Sequence, residues 1–162
     1  MGAGHVPREV LNESPAFQKP SIQVRDAVES DAPALARLCE QLGYPTHAGD
    51  IVPRLRLMAT DPHIRVIVAM DGSDVIGLAT IHIRQALNHA APLGQLTLLV
   101  VDEAWRGRGV GRALVDATEA WTRGKQCTRL IVTTALRRTD AHAFYEKIGF
   151  AHTGRRYAKD FT

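Results

Sequence analysis

Residues 96 to 114 read LTLLVVDEAWRGRGVGRAL, and the reading of this stretch decides the fold. The apolar run from Leu96 to Val101 predicts a buried strand. Asp102, Glu103, Ala104 and Trp105 form a polar turn, followed by Arg106, Gly107, Arg108, Gly109, Val110 and Gly111. Beyond it, Val110, Ala113, Leu114, Ala117 and Trp121 recur with helical spacing. A glycine turn between a strand and a helix lets backbone N–H groups converge on one point without Cβ obstruction. Unpaired N–H groups at a helix start, with the positive end of its dipole, make a site for phosphate or pyrophosphate.

The common nucleotide motifs do not fit this turn. It lacks the Gly-Lys-Ser/Thr ending of a P-loop, and its spacing is Gly-x-Gly-x-Gly rather than Gly-x-Gly-x-x-Gly. It resembles instead the acetyl-coenzyme A signature of the GNAT family of N-acetyltransferases, in which an Arg or Gln is followed by Gly-x-Gly at fixed spacing. Here the matching residues are Arg106, Gly109 and Gly111, flanked by the apolar Val101 and Leu114. A second block, AHAFYEKIGF from Ala141 to Phe150, resembles the family's later motif. The two motifs stand in the family's order, and the pattern of elements extends the resemblance over roughly residues 21 to 160.

Composition agrees with one soluble domain. A chain of 162 residues buries roughly two thirds of its unfolded surface on folding. It is 45% hydrophobic and 23% charged, with formal net charge +3, and its pI is about 9.1. A mild basic bias suits an anionic small molecule as well as nucleic acid. Lys and Arg are scattered and form no aromatic-plus-basic stripe, so no nucleic-acid partner is expected. Cys39 and Cys127 are not in metal-type spacing; no metal is expected, and a reducing compartment is the simplest inference. No apolar segment approaches the ~20 residues of a membrane span, so no membrane partner is expected. Residues 1 to 20 lack the apolar stretch of a signal peptide and, with Pro7, Pro15 and Pro20, read as a mobile leader ahead of an acyltransferase domain at 21–162. A cytoplasmic location follows by default.

Taken in order, the chain predicts a strand at Ile22–Arg25, a helix from Asp31 to Leu42 stopped by Gly43, and a shorter helix from Ile51 to Met58. Strands at Ile64–Met70 and Val75–Arg84 flank the hairpin signal Asp71-Gly72, and Gln85 to Leu93 is a loop. After the central strand come a helix from Val110 to Thr122 closed by Gly124, a strand at Leu130–Thr134, and a helix from Ala141 to Ile148. That last helix should end in a left-handed glycine cap at Gly149 with an apolar contact from Phe150. Two closing strands, near Phe150–Thr153 and Arg156–Phe161, complete the order βααβββαβαββ. The fold class is therefore mixed α/β: a single GNAT-like domain with a mostly antiparallel central sheet and helices on both faces.

The resemblance also implies a chemistry. Acetyl-coenzyme A would be the cosubstrate and a small-molecule or peptide primary amine the acceptor, brought together for direct transfer. The pantetheine arm would lie between the central strand, at Leu99, Val100 and Val101, and the strand that follows. Amides from Arg106 through Gly107, Arg108, Gly109 and Val110 to Gly111 would hold the pyrophosphate, with Arg108 and Arg112 as nearby cations; the alternative is a tight connection with solvated arginines. Thr133 and Thr134 stand where the family often has an Asn that contacts the coenzyme. Arg137 and Arg138 would meet its phosphates or solvate the loop. His142 and Phe144 would line the channel or simply pack, as Ile148 and Phe150 do.

Tyr145 matches the family's tyrosine, which protonates the departing thiolate. A phenol with reference pKa ~10 is protonated at neutral pH and has the form of a general acid. Many relatives carry a Glu base early in the central strand, but the matching residue here is Gln95, which takes no proton. A water relay, another residue, or an amine that arrives neutral would replace it. His82 and His89 are the residue type suited to proton transfer near neutrality. His82 is the base candidate carried forward. The oxyanion donor would be an N–H at a bulge near Leu99 or Val100. Asp102 and Glu103 read as helix-start or solvated charges. Acceptor residues would come from Tyr44–His47, the second helix and the loop from Gln85 to Leu93. Homodimers are common in the family, though no interface stands out here. Two rival functions are a catalytically silent acetyl-coenzyme A sensor, motivated by Gln95, and a basic nucleic-acid-binding module.

Overall fold

A computed structural model describes residues 21–161; the expected leader, residues 1–20, lies outside the described residues. The strands are β1 (Ile22–Asp26), β2 (Ile64–Asp71), β3 (Asp74–Arg84), β4 (Leu93–Val101) and β5 (Arg129–Val132). The helices are α1 (Ala32–Gln41), α2 (Ala48–Ala59), α3 (Val110–Gly124) and α4 (Thr139–Lys147), with 3₁₀ turns at Glu29–Asp31 and Glu103–Trp105. The sheet runs β1-β2-β3-β4-β5. Its first three pairings are antiparallel and the β4–β5 pairing is parallel.

Helices cover both faces, as the element order predicts. On one face α1 and α2 bury Leu35, Leu38, Ile51 and Leu55 against Val68, Leu78 and Val100. On the other, α3 buries Val110, Leu114 and Val115 against Ile67, Ile76, Ile81 and Leu96, with Phe144 and Tyr145 of α4 packed alongside. Burying each such aliphatic side chain contributes on the order of 1.5–3 kcal/mol. Thr118 and Thr122 sit in the same buried face of α3. Their hydroxyls donate to the carbonyls of Leu114 and Thr118, at 2.8 and 3.0 Å, so neither is left unpaired.

Two register shifts set which face each strand residue takes. In β3, Val75 pairs with Met70 and Gly77 with Ala69, so Ile76 is an extra residue. In β4, Leu98 pairs with Thr80 and Leu96 with Ile81, so Thr97 is the extra residue. Alternation alone would put Leu96 and Leu98 on one face. The bulge at Thr97 sends Leu96 under α3 and Leu98 under α1 and α2. The expected bulge near Leu99 or Val100 is thus corrected: those residues pair regularly with Ala79 and Leu78.

Three other expectations need correction. The closing strands near 150–153 and 156–161 are not formed; residues 151–161 have no regular secondary structure and are exposed, and Tyr157 and Phe161 pack into neither core cluster. Helix α3 runs past Thr122 and includes Gly124. Its left-handed closing residue is Gln126 (φ 61°), with the N–H of Cys127 reaching back to the carbonyl of Thr122 at 3.0 Å. Helix α4 begins at Thr139, two residues ahead of the expected Ala141, with Arg138 rather than Asp140 in the cap position. The α4 C-terminus is as predicted: Phe150 N–H donates to Tyr145 O at 3.0 Å and Gly149 N–H to Glu146 O at 3.1 Å, while the Phe150 ring packs edge-on against Tyr145.

Candidate active site

The turn from Arg106 to Arg112 is built by dihedral angle and by close approach. Gly107 and Gly109 hold φ of +74° and +88°, and an added Cβ at either would touch nothing within 4 Å, so these glycines serve the left-handed backbone rather than a lack of room. Gly111 differs: a Cβ there would stand 3.2 Å from Phe144 Cζ and 3.6 Å from Val101 Cγ2. The N-terminus of α3 is thereby seated against both β4 and α4. The first α3 hydrogen bond runs from Ala113 N–H to Gly109 O at 3.0 Å; the N–H groups from Gly107 to Arg112 have no protein acceptor among the described residues.

The arginines of the turn are held in place. Arg106 Nε donates to Val101 O at 3.3 Å, the Arg108 guanidinium lies over the Trp105 ring, 5.2 Å from its centroid, and Arg112 Nε donates to Asp116 at 2.7 Å. Asp102 is buried rather than solvated. Its carboxylate accepts from Ala104 N–H at 3.0 Å and forms an ion pair with Arg37 of α1. Arg37 also donates to Val75 O at 3.1 Å, so α1, β3 and the start of the glycine turn are tied at one point.

Strands β4 and β5 pair only from Leu93 to Leu96 against Arg129 to Val132. Beyond Leu96 they separate, and the β5-facing edge of β4, Thr97 to Val101, meets no strand. Leu99 and Val101 on one side of the opening, Val132 on the other, and Phe144 and Tyr145 of α4 belong to one apolar cluster. The Tyr145 ring meets Phe144 edge-on at 5.2 Å and Phe150 at 5.5 Å. Burial pushes its phenol up to about 12, against a smaller downward pull from the Arg138 guanidinium. Past the end of β5, the Thr134 hydroxyl is buried without a hydrogen-bond partner among the described residues. Thr133 and Arg137 are exposed. The His142 ring lies 3.1 Å from the Ala135 carbonyl and its N–H donates to Arg138 O, so His142 closes the loop ahead of α4.

On the opposite face, between α1, α2 and the sheet, is a cavity of about 310 Å³. Its floor includes Thr80, His82, Thr97 and Leu98, at the bulge itself, and its walls include Cys39 of α1 and Arg54 of α2. His82 is the register partner of Gln95, and directly opposed residues share a face. The structure thus brings His82 and Gln95 together beside the bulge; His89 stands apart in the loop and does not line the cavity. Burial pushes the Cys39 thiol up, against a smaller opposing pull from Arg54. Arg37, Arg54, Asp102 as a buried group, and Thr97 were not singled out by sequence reasoning. No motif marks them, since their roles come from contacts between elements distant in the chain.

These features meet in a known family. The acetyltransferase (GNAT) family model matches residues 29–150, and the chain belongs to that family, an enzyme family of acyltransferases. It is 34% identical over 137 residues to the aminoglycoside N(6')-acetyltransferase type 1 of Stenotrophomonas maltophilia, covering 82% of this chain and 88% of that one. It is 29% identical to the aminoalkylphosphonate N-acetyltransferase of Salmonella typhimurium, covering 86% and 92%. Among solved structures, an aminoglycoside N-acetyltransferase in complex with coenzyme A shares the fold, with TM-score 0.79, 21% identity and coverage of 90% and 98%. No helix among the described residues is long and apolar enough to cross a membrane.

Proposed function

We propose that the domain at 21–162 transfers the acetyl group of acetyl-coenzyme A to a primary amine, with both bound at once. The observation that carries this reading is the run of unpaired N–H groups from Gly107 to Arg112, seated by Gly111 against Val101 and Phe144 beside the opening between β4 and β5. Backbone amides at a helix start bind pyrophosphate oxygens, and Arg108 and Arg112 add positive charge around them. The buried, unpartnered hydroxyl of Thr134 fits a polar group of the coenzyme arm. Arg138, close enough to act on the Tyr145 phenol, is a further cation for an anionic ligand.

Bound acetyl-coenzyme A supplies an activated thioester. The chain's own part begins with positioning, because holding amine and thioester in reacting geometry removes much of the entropic barrier. Tyr145, with its pKa raised to about 12, keeps its proton at neutral pH and donates it to the departing sulfur. On the other face, His82 or a water it binds takes a proton from the entering ammonium, Gln95 being unable to. The balance is one ammonium and one thioester giving one amide, one thiol and one released proton. The unpaired thiols of Cys39 and Cys127 fit a reducing cytoplasm.

A thermal-shift titration with acetyl-coenzyme A, run beside Gly109→Glu, tests the reading. A ligand at a hundred times its Kd stabilises the folded state by about 2.7 kcal/mol, a midpoint rise of roughly 5–10 °C for a domain of this size. The wild type should show that rise and Gly109→Glu should not. Free thiol should then appear only with an amine. A shift without thiol release from any amine would favour a coenzyme sensor, and no shift would overturn the proposal.

A further inference from the structure

The cavity beside the Thr97 bulge says which amines fit. No Asp or Glu among the described residues lines it, while Arg54, exposed at its rim, does. Arg54 forms no ion pair with a carboxylate among the described residues, although seven other arginines do. The rest of the wall is mainly aliphatic, from Leu35, Ile51, Leu55, Met58 and Leu78, with the hydroxyls of Thr80 and Thr97 and the His82 ring on the floor. At about 310 Å³ the cavity is at the small end of ligand sites.

A polycationic acceptor is a poor match for such a wall. Its extra ammonium groups would lose hydration and gain no carboxylate, and they would face Arg54 at like charge. An acceptor that carries its own anion beside the amine, on a compact apolar body, matches each part. The anion pairs with Arg54, the body fills the aliphatic wall, and the amine is left toward the bulge, where His82 and Gln95 share a face. The absence of a carboxylate also means that nothing in the cavity holds the amine in its charged form. Resting on the acetyl-transfer reading, we infer that the acceptor is a compact apolar amine bearing a carboxylate or phosphonate, with Arg54 as the residue that selects it.

The test is a matched series on the full chain: L-phenylalanine, its 1-amino-2-phenylethylphosphonate analogue, phenethylamine, which lacks the anion, and kanamycin, a polycation. Binding is read by calorimetry with coenzyme A present and turnover by thiol release. The two anionic amines should exceed phenethylamine in kcat/KM by about tenfold or more, mostly through KM, as expected for a charge-assisted contact. Arg54→Gln should abolish that advantage, lowering kcat/KM for the two anionic amines about tenfold relative to phenethylamine, with the acetyl-coenzyme A thermal shift intact. The phenylalanine and phosphonate arms distinguish the two sources of the anion. A preference for kanamycin or phenethylamine, equal losses for all amines in Arg54→Gln, or no binding of either anionic amine at millimolar concentration would overturn the inference while the acetyl-transfer reading stood. Binding of L-phenylalanine through Arg54 with no response to coenzyme would keep the cavity assignment and remove acetyl transfer.

Discussion

Gly111 and Phe144 meet with no room to spare: a Cβ on Gly111 would stand 3.2 Å from Phe144 Cζ and 3.4 Å from Cε2. One contact therefore sets the distance between the glycine turn and the helix that carries Tyr145. Overpacking of this kind costs about 1–3 kcal/mol. Helix propensity favours alanine by up to about 1 kcal/mol, so Gly111→Ala should lose about 0–2 kcal/mol in a denaturant titration and show a smaller coenzyme-induced thermal shift; a gain in stability would mean that the Phe144 ring gives way freely.

Replacement of Tyr145 by Phe removes the proton and keeps the ring contacts with Phe144 and Phe150. The expected loss in kcat is about 10²–10⁴-fold, the usual range for a general acid, with coenzyme affinity unchanged. A pH effect on stability accompanies it. The folded pKa is raised from 10 to about 12, so the folded chain keeps a proton that the unfolded chain gives up. The stabilisation is fully present below pH 10 and is lost as pH rises from 10 through 12. Urea titrations across that window should fall more steeply for wild type than for Tyr145→Phe, if alkaline conditions act through this group.

Arg37 and Asp102 lie 65 positions apart in sequence and hold α1 to the start of the glycine turn. Removing the guanidinium alone strands a buried carboxylate. With Arg37 itself 47% exposed, solvent screening reduces the loss below that of a fully buried pair, to about 1–3 kcal/mol. Arg37→Ala should show this by denaturation, and the Arg37→Met, Asp102→Asn double variant should recover part of it. Strict additivity of the two single changes would mean that the residues are not coupled.

Gln126 holds a left-handed backbone (φ 61°) at the end of α3, a conformation that costs a side-chain-bearing residue roughly 1 kcal/mol. Gln126→Gly should raise the unfolding midpoint or leave it level, since glycine's own unfolded-state entropy offsets part of the gain. Activity should be unchanged. A clear loss of stability would mean that the Gln126 side chain contributes more than its backbone costs.

The same residue illustrates where sequence reading stops. Gly124 was the natural stop for α3, yet the helix closes at Gln126, because closure depends on where Thr122 and Cys127 come to lie. Local chemistry was legible where it is self-contained: the Gly43 and Gly149 helix ends, the Asp71-Gly72 hairpin, and the amphipathic stripe of α3. The Thr97 bulge was not, because Leu96 to Val101 is almost uniformly apolar and offers no alternation whose phase could reveal a shift. The closing strands failed for the opposite reason. Phe150–Thr153 and Arg156–Phe161 read as closing strands, but Tyr157 and Phe161 remain 85% and 89% exposed, and so little apolar area enters the core that no sheet edge is captured. At the site, the motif residues were readable, whereas Arg54 and Arg37 became visible only once distant elements were brought together.

The extra residue at Thr97 makes β4 two half-strands in opposite phase: Leu96 faces α3, Leu98 and Val100 face α1 and α2, and Leu99 and Val101 return to the α3 side. The two helical layers thus pack against separate sets of strand residues and are joined where Arg37 of α1 pairs with Asp102. Away from that ion pair, a substitution in one layer meets few side chains of the other, a partition of the core set by a single inserted amino acid.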